Sequence, residues 1–298
     1  MAADRPVVFG EVLFDCFAEE AALGGAPFNV AWHLRGFGLD PLFISRIGED
    51  KLGAQVVAAM ERWGMDTSGL QRDPEHPTGR VQIQLQDGQP RYEILPDQAY
   101  DYIRPPAVKA LQAEGRPAQL YHGTLAARNG VSEATLGALR GATTAPVFVD
   151  INLRPPWWEL AKVTEMIQGA ACIKLNENEL ELIERQDPGT DPRTRALYLK
   201  ERAGAEVVLV TQGEAGAFVL TACAHYRVAA KPVDSLVDTV GAGDGFSAVA
   251  ILGLLKGWPW ERILERAAAF SARICGYRGA IREDRGFYEQ VREGWMDG

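Results

Sequence analysis

Four short apolar runs, each ending in polar residues, constrain this chain more than any other feature of its sequence. Ala118-Gln-Leu-Tyr121 leads to His122, Gly123 and Thr124; Val147-Phe-Val149 leads to Asp150 and Asn152; Cys172-Ile-Lys-Leu175 leads to Asn176; Val207-Val-Leu-Val210 leads to Thr211 and Gly213. Runs this apolar suit strands covered on both faces, as in a parallel sheet sandwiched by helices. Such sheets bind ligands beyond the carboxyl ends of their strands, where these polar residues fall. Helical patterns lie between the runs: over Lys51 to Trp63, the residues Val56, Val57, Met60 and Trp63 share one stripe, and Gly64 is the stop signal. Strand and helix alternate without a linker or repeat, which predicts one doubly wound α/β domain over residues 1–298, its sheet mostly parallel.

One segment departs from the pattern. From Arg80 to Ile94, apolar Val81, Ile83 and Leu85 alternate with Gln82, Gln84 and Gln86. A period of two describes a sheet with one wet face. Asp87 and Gly88 supply turn chemistry, so an antiparallel hairpin is predicted to project from the main body. A lid over a substrate, a contact in a homodimer and a plain surface hairpin all fit that pattern.

Charge and composition exclude several partners. The 40 acidic and 31 basic residues give a net charge of -9 with no dense basic tract, which argues against nucleic acid. Local amides, an Arg and a divalent cation can still hold a polyphosphate on an acidic body. Cys16, Cys172, Cys223 and Cys275 show no Cys-x-x-Cys spacing, so a structural zinc site is not expected and the thiols read as reduced in a cytoplasmic protein. The start of the chain lacks the long apolar core of a signal peptide. The most apolar stretch, Phe246 to Leu255, is about half the length that spans a bilayer, so no membrane partner is expected.

The densest chemistry lies in Val237-Asp-Thr-Val-Gly-Ala-Gly-Asp-Gly-Phe-Ser-Ala248, which runs into a long apolar segment ending at Gly257-Trp-Pro. This places Asp244 at a helix N-terminus. Gly241 and Gly243 permit backbone conformations that aim consecutive N–H groups at one anion, and the helix dipole adds positive potential. A phosphate in transfer would be stabilised there beside a carboxylate able to take a proton. A Gly-rich turn in which Asp244 only caps a buried helix is the plain alternative.

Asp238-Thr-Val-Gly-Ala-Gly-Asp-Gly-Phe246 resembles the C-terminal signature of the ribokinase-like (PfkB) sugar kinases. Gly24-Gly-Ala-Pro-Phe-Asn-Val-Ala31 resembles their N-terminal signature, Asn176-Glu-Asn-Glu179 their Asn-x-x-Glu element, and Thr211-Gln-Gly-Glu-Ala-Gly216 their nucleotide loop, in the same order across nearly the whole chain. The resemblance implies an ATP-dependent carbohydrate kinase with Asp244 as base and the amides of Gly241, Ala242 and Gly243 as anion hole. It implies that Asn176 and Glu179 organise magnesium through water, and that Thr211, Gly213 and Gly216 line the nucleotide. For the sugar it points to Asp15, at the end of the first strand, with Gly24, Gly25, Asn29 and Arg154. A monovalent cation, potassium, is implied at Asp238 and the carbonyls of Val240 and Gly279. The lid is expected over about residues 15–23 and 78–101.

Three stretches are closer to bacterial fructokinases than to ribokinases: Gly24-Gly-Ala-Pro-Phe-Asn29, Asp150-Ile-Asn-Leu-Arg-Pro-Pro-Trp157 and Ala99-Tyr-Asp-Tyr102. Fructose is therefore the expected substrate, with ribose, 2-keto-3-deoxygluconate and a nucleoside as alternatives. Two departures stand out. Phe28 replaces the more usual Ala, which threatens to reshape the substrate pocket, and only eight residues separate Asp15 from Gly24, which leaves the lid to the 80–94 hairpin with little help from the N-terminal segment. None of the seven lysines follows a glycine, so no P-loop exists, and no Gly-x-Gly-x-x-Gly follows the first strand as a dinucleotide dehydrogenase requires. A non-catalytic sugar or nucleotide sensor on the same fold stays open as another class.

Overall fold

The computed structural model describes residues 5–17, 20–86, 89–105, 117–187, 189–233 and 235–295. They fall into two units, Met1–Pro117 with Ala126–Thr144, and Ala118–Leu125 with Ala145–Gly298.

In the first unit the strands are β1 (Pro6–Phe9), β2 (Leu13–Phe17), β3 (Glu20–Gly24), β4 (Leu42–Gly48), β5 (Leu70–Asp73), β6 (Gly79–Gln86) and β7 (Gln89–Ile94). The helices are α1 (Ala26–Gly36), α2 (Lys51–Trp63) and α3 (Gly130–Ala142). Strands β1, β4 and β5 pair in parallel in that order. Gly10 ends β1: its φ is +154°, and a Cβ there would lie 2.3 Å from Pro27 Cγ. The chain then starts a second sheet, ordered β3-β2-β6-β7. Asp15 thus sits inside β2, opposite Ala22 of β3 and Val81 of β6, and not at the end of the first strand as the sequence suggests.

The predicted hairpin is present as β6 and β7, antiparallel from Val81↔Ile94 to Gln86↔Gln89. Val81 is buried and Gln82 exposed, as alternation requires; Asp87 and Gly88, the predicted turn, lie outside the described residues. The N-terminal segment contributes more than expected. Strand β3 pairs antiparallel with β2, so the two make half of this sheet.

Helix α1 is buried on nearly every side. Phe28 is 0% exposed, with its ring 5.7 Å from Trp32 and 5.6 Å from Phe43, so its ring fills core. Trp32 stacks on Trp63 of α2 at 5.0 Å, joining the two helices. In α2 the stripe Val56, Met60 and Trp63 is buried, Asp50 caps the N-terminus at Gly53 N (2.8 Å), and Gly64 closes the helix at φ +72°.

In the second unit the strands are β8 (Gln119–His122), β9 (Val147–Asp150), β10 (Cys172–Asn176), β11 (Val207–Thr211), β12 (Ala217–Leu220) and β13 (His225–Val228). Their order is β13-β12-β11-β10-β9-β8, parallel from β8 to β11 and antiparallel beyond. The helices are α4 (Leu160–Met166), α5 (Glu177–Ile183), α6 (Pro192–Ala203), α7 (Ala242–Leu255), α8 (Trp260–Cys275) and α9 (Arg285–Glu293). Val149, Ile173, Leu175, Val208 and Val210 pack on one face of the sheet with Val163, Leu180, Ile183 and Leu199 of α4, α5 and α6. Each such side chain contributes roughly 1.5–3 kcal/mol on burial. Ser247 of α7 meets Asp150 of β9 from the opposite face. The four apolar runs are thus sandwiched by helices, as their composition requires. Among the described residues no helix is long and apolar enough to cross a membrane.

Candidate active site

Helix α7 opens on Gly241, which holds φ +79° as its N-cap. A Cβ there would fall 2.4 Å from Ala280 Cβ, so the position demands glycine for both conformation and space. Ala242 N–H donates to Thr239 O at 3.3 Å, and the first intrahelical bond is Gly245 N–H to Gly241 O at 2.8 Å. Gly243 N–H precedes that bond, at the positive end of the helix dipole, and Asp244 stands in the same first turn. The preceding loop is clamped by Asp238. Its Oδ1 accepts from Val240 N–H at 3.0 Å and its Oδ2 from Gly279 N–H at 3.1 Å. Asp238, Val240 and Gly279, the residues named for a monovalent cation, are therefore brought together by direct hydrogen bonds.

The carboxyl ends of β10 and β11 supply the next group. Asn176 and Thr211 are register partners. Asn176 Oδ1 accepts from Glu179 N–H at 2.9 Å, while Glu179 Oε2 accepts from Asn176 N–H at 2.9 Å, a reciprocal cap on α5. Glu179 Oε1 accepts from Leu153 N–H at 2.7 Å. Burial holds the Glu179 carboxyl above the usual carboxylate range against these amides and the nearby Lys174 ammonium. Gln212 N–H closes the next loop on Gly216 O at 2.8 Å, with Gly213 at φ +55° and Gly216 at φ +97°. At Gly216 a Cβ would lie 2.0 Å from Val228 O, so the loop can hug the strand end only as glycine. Arg154 is exposed, and its Nη1 donates to Leu153 O at 3.2 Å.

In the first unit, a Cβ on Gly24 would be 3.7 Å from Asp15 Oδ2 and 3.9 Å from Asn29 Oδ1, so three of the sugar candidates converge. Gly25 is the N-cap of α1 at φ +108°, where a Cβ would meet Glu11 O at 2.8 Å.

Among the described residues no three of His, Cys, Asp and Glu gather into a metal cage. Each oxygen of Glu179 keeps acceptor capacity beyond its one amide bond, which fits a hydrated magnesium ion arriving with a nucleotide better than a resident metal.

The sequence profile of the pfkB family carbohydrate kinases matches residues 2–285. The chain belongs to that family. A fructokinase of Salmonella typhimurium is 29% identical over 289 residues, 90% of this chain and 91% of that protein. A 5-dehydro-2-deoxygluconokinase of Geobacillus thermodenitrificans is 26% identical, covering 85% of this chain and 78% of that protein. The crystal structure of a Xylella fastidiosa fructokinase with bound ATP superposes with a TM-score of 0.86 at 21% identity, over 98% of this chain and 99% of that one, which shows the ribokinase-like α/β fold.

In this pfkB kinase, sequence reasoning missed a buried polar cluster under the first turn of α7. Lys174 Nζ lies 3.0 Å from both Asp150 oxygens and 3.4 Å from Gly243 O. Ser247 Oγ donates to Asp150 Oδ2 at 2.7 Å, and Tyr121 OH approaches the same oxygen at 3.3 Å. The available signal was one lysine inside an otherwise apolar strand, Cys172-Ile-Lys-Leu175. Also missed was a cavity of about 780 Å³ lined by Lys231, Ser235, Arg266, Ala272, Gly276 and Trp295. It borders the clamped loop, since Cys275 O accepts from Val237 N–H at 2.9 Å and Asp238 N–H at 3.2 Å.

Proposed function

We propose that this kinase transfers the terminal phosphoryl group of ATP to a hydroxyl of a small sugar, with D-fructose the best common acceptor, in the cytoplasm. The observation that carries this is Asp244 in the first turn of a helix whose opening glycine, N–H groups and dipole favour an anion. Asp244 takes the hydroxyl proton as the sugar oxygen bonds to the phosphorus and ADP leaves. The amides of Gly241, Ala242 and Gly243 stabilise the charge on the transferring group. Magnesium supplies charge neutralisation on the phosphates, and Asn176 and Glu179 orient its waters. Thr211, Gly213 and Gly216 line the nucleotide, and the cavity beside Ser235 and Gly276 has room for its base. Asp15, Gly24, Gly25 and Asn29 hold sugar hydroxyls, with Arg154 assigned to the phosphate.

A potassium ion on the carbonyls of Val240 and Gly279 would stiffen the loop that Asp238 already clamps. Equal rates in potassium and in a bulky organic cation at matched ionic strength would remove it from the reading.

A second reading, a keto-deoxy sugar acid as acceptor, is favoured by the similarity to the 5-dehydro-2-deoxygluconokinase. Release of ADP should be measured with D-fructose, ribose, adenosine, 2-keto-3-deoxygluconate and 5-dehydro-2-deoxygluconate at equal sub-saturating concentration. Fructose is expected to give the highest kcat/KM. Another acceptor exceeding it by about tenfold, ~1.4 kcal/mol of transition-state binding, overturns fructose and leaves the kinase standing. No ADP release with any acceptor supports the sensor.

A further inference from the structure

Lys174 is a charged residue in a strand whose neighbours are apolar, and its side chain is only 9% exposed. A buried ion pair is weak evidence for stability, because desolvating two charges offsets their attraction. Its position suggests another use. The ammonium sits 3.0 Å from both Asp150 oxygens, 3.4 Å from Gly243 O and 3.3 Å from where a Gly243 Cβ would stand. Ser247 Oγ also lies 3.1 Å from Gly243 O, so its one proton is shared between that oxygen and Asp150 Oδ2. That carbonyl belongs to the peptide group whose N–H is that of Asp244. In a trans peptide the C=O and N–H point in opposite directions, so donors gathered at the oxygen pin and polarise an N–H that faces out of the helix N-terminus.

We propose that Lys174 is a positioning residue for phosphoryl transfer: held by Asp150, it fixes the Gly243–Asp244 peptide and strengthens the Asp244 N–H, which joins the Gly241, Ala242 and Gly243 amides at the transferring phosphate. The inference rests on the kinase reading above. It assigns a purpose to the Lys174–Asp150 pair that helix packing alone does not require, since an apolar side chain would pack at the same place. Lys174 touches no substrate in this scheme. Its effect reaches the reacting atoms through one peptide bond.

The test uses Lys174→Met and the double variant Lys174→Met/Asp150→Asn, which removes both charges together so that no buried charge is left alone. Thermal unfolding identifies the variant that folds as the parent does. Turnover is followed with MgATP and the best acceptor from the sugar panel. Independently of any sugar, calorimetry compares the affinity for MgADP with that for MgADP plus aluminium fluoride, a mimic of the phosphoryl group in transfer. The folded variant should lose about 10²-fold in kcat with both KM values within about twofold, and bind the fluoroaluminate complex at least about tenfold more weakly while MgADP affinity holds. A folded double variant with kcat within about threefold of the parent overturns the proposal, as does an equal loss of affinity for both nucleotide complexes, which marks a merely structural role. If the parent turns over no acceptor, the kinase reading fails while the two nucleotide affinities still decide the case for Lys174.

Discussion

Asp244 and Gly241 do different work three residues apart, and substitutions separate them. Asp244→Ala deletes the proposed proton acceptor but leaves the amides of α7 in place. Turnover should fall at least ~10²-fold, the low end of a general base's contribution, while ATP binding measured by calorimetry stays near that of the parent. A variant keeping more than about half of the parental rate would remove Asp244 from its role. Asp238 works at a distance from the chemistry, by tying Val240 and Gly279 together and so setting where Gly241 begins the helix. Residue-scale reading of the sequence placed Asp244, Gly241 and the Asn176–Glu179 pair at helix boundaries, where composition and spacing speak to backbone chemistry. It did not find Lys174, since a single charge in an apolar run reads as an interruption until the partner strand brings Asp150 alongside. The burial of Phe28 was hidden for the opposite reason: α1 is buried almost all round, so no stripe marked its core side.

Elements were legible where both faces are buried. The strands β8 to β11 stood out as continuous apolar runs and pair as such runs should. The break between β1 and β2 was hidden, because Val7-Val-Phe-Gly-Glu-Val-Leu-Phe14 reads as one strand unless Gly10 is known to meet Pro27. That break matters for the proposed lid role, since it puts Asp15 on the four-stranded sheet beside β6. Replacing residues 80–94 by a short Gly-Ser turn withdraws the β6 partner of β2. The sugar KM should rise by about tenfold or more, nucleotide affinity should hold, and ATP hydrolysis uncoupled from sugar phosphorylation should increase. Steady-state kinetics on a folded deletion variant checks this, and unchanged sugar KM and coupling would refute the lid.

For the whole molecule, one buried pair in the first unit contributes to how stability responds to acid. Arg46 Nε donates to Asp73 Oδ2 at 2.6 Å, and Asp73 also accepts from the N–H groups of Glu75 and His76. Burial works against the charge on Asp73, but the Arg46 guanidinium and these amides outweigh it and hold the carboxyl well below the usual range. A depressed carboxyl stabilises the fold fully above the unfolded value, near 4, and loses that contribution as pH falls through the folded value. Asp73→Asn should cost about 3 kcal/mol at neutral pH by stranding Arg46. Urea unfolding at several pH values should show the gap between variant and parent narrowing below about pH 4. The second sheet carries a consequence for synthesis. Strands β2 and β6 come from opposite ends of a segment that contains α1, β4, α2 and β5. A growing chain makes Asp15 before any of that core, and its parallel neighbour leaves the ribosome only after all of it has been translated. Asp15 can therefore pair with β3 first, and the four-stranded sheet closes only after the residues between β2 and β6 have been made.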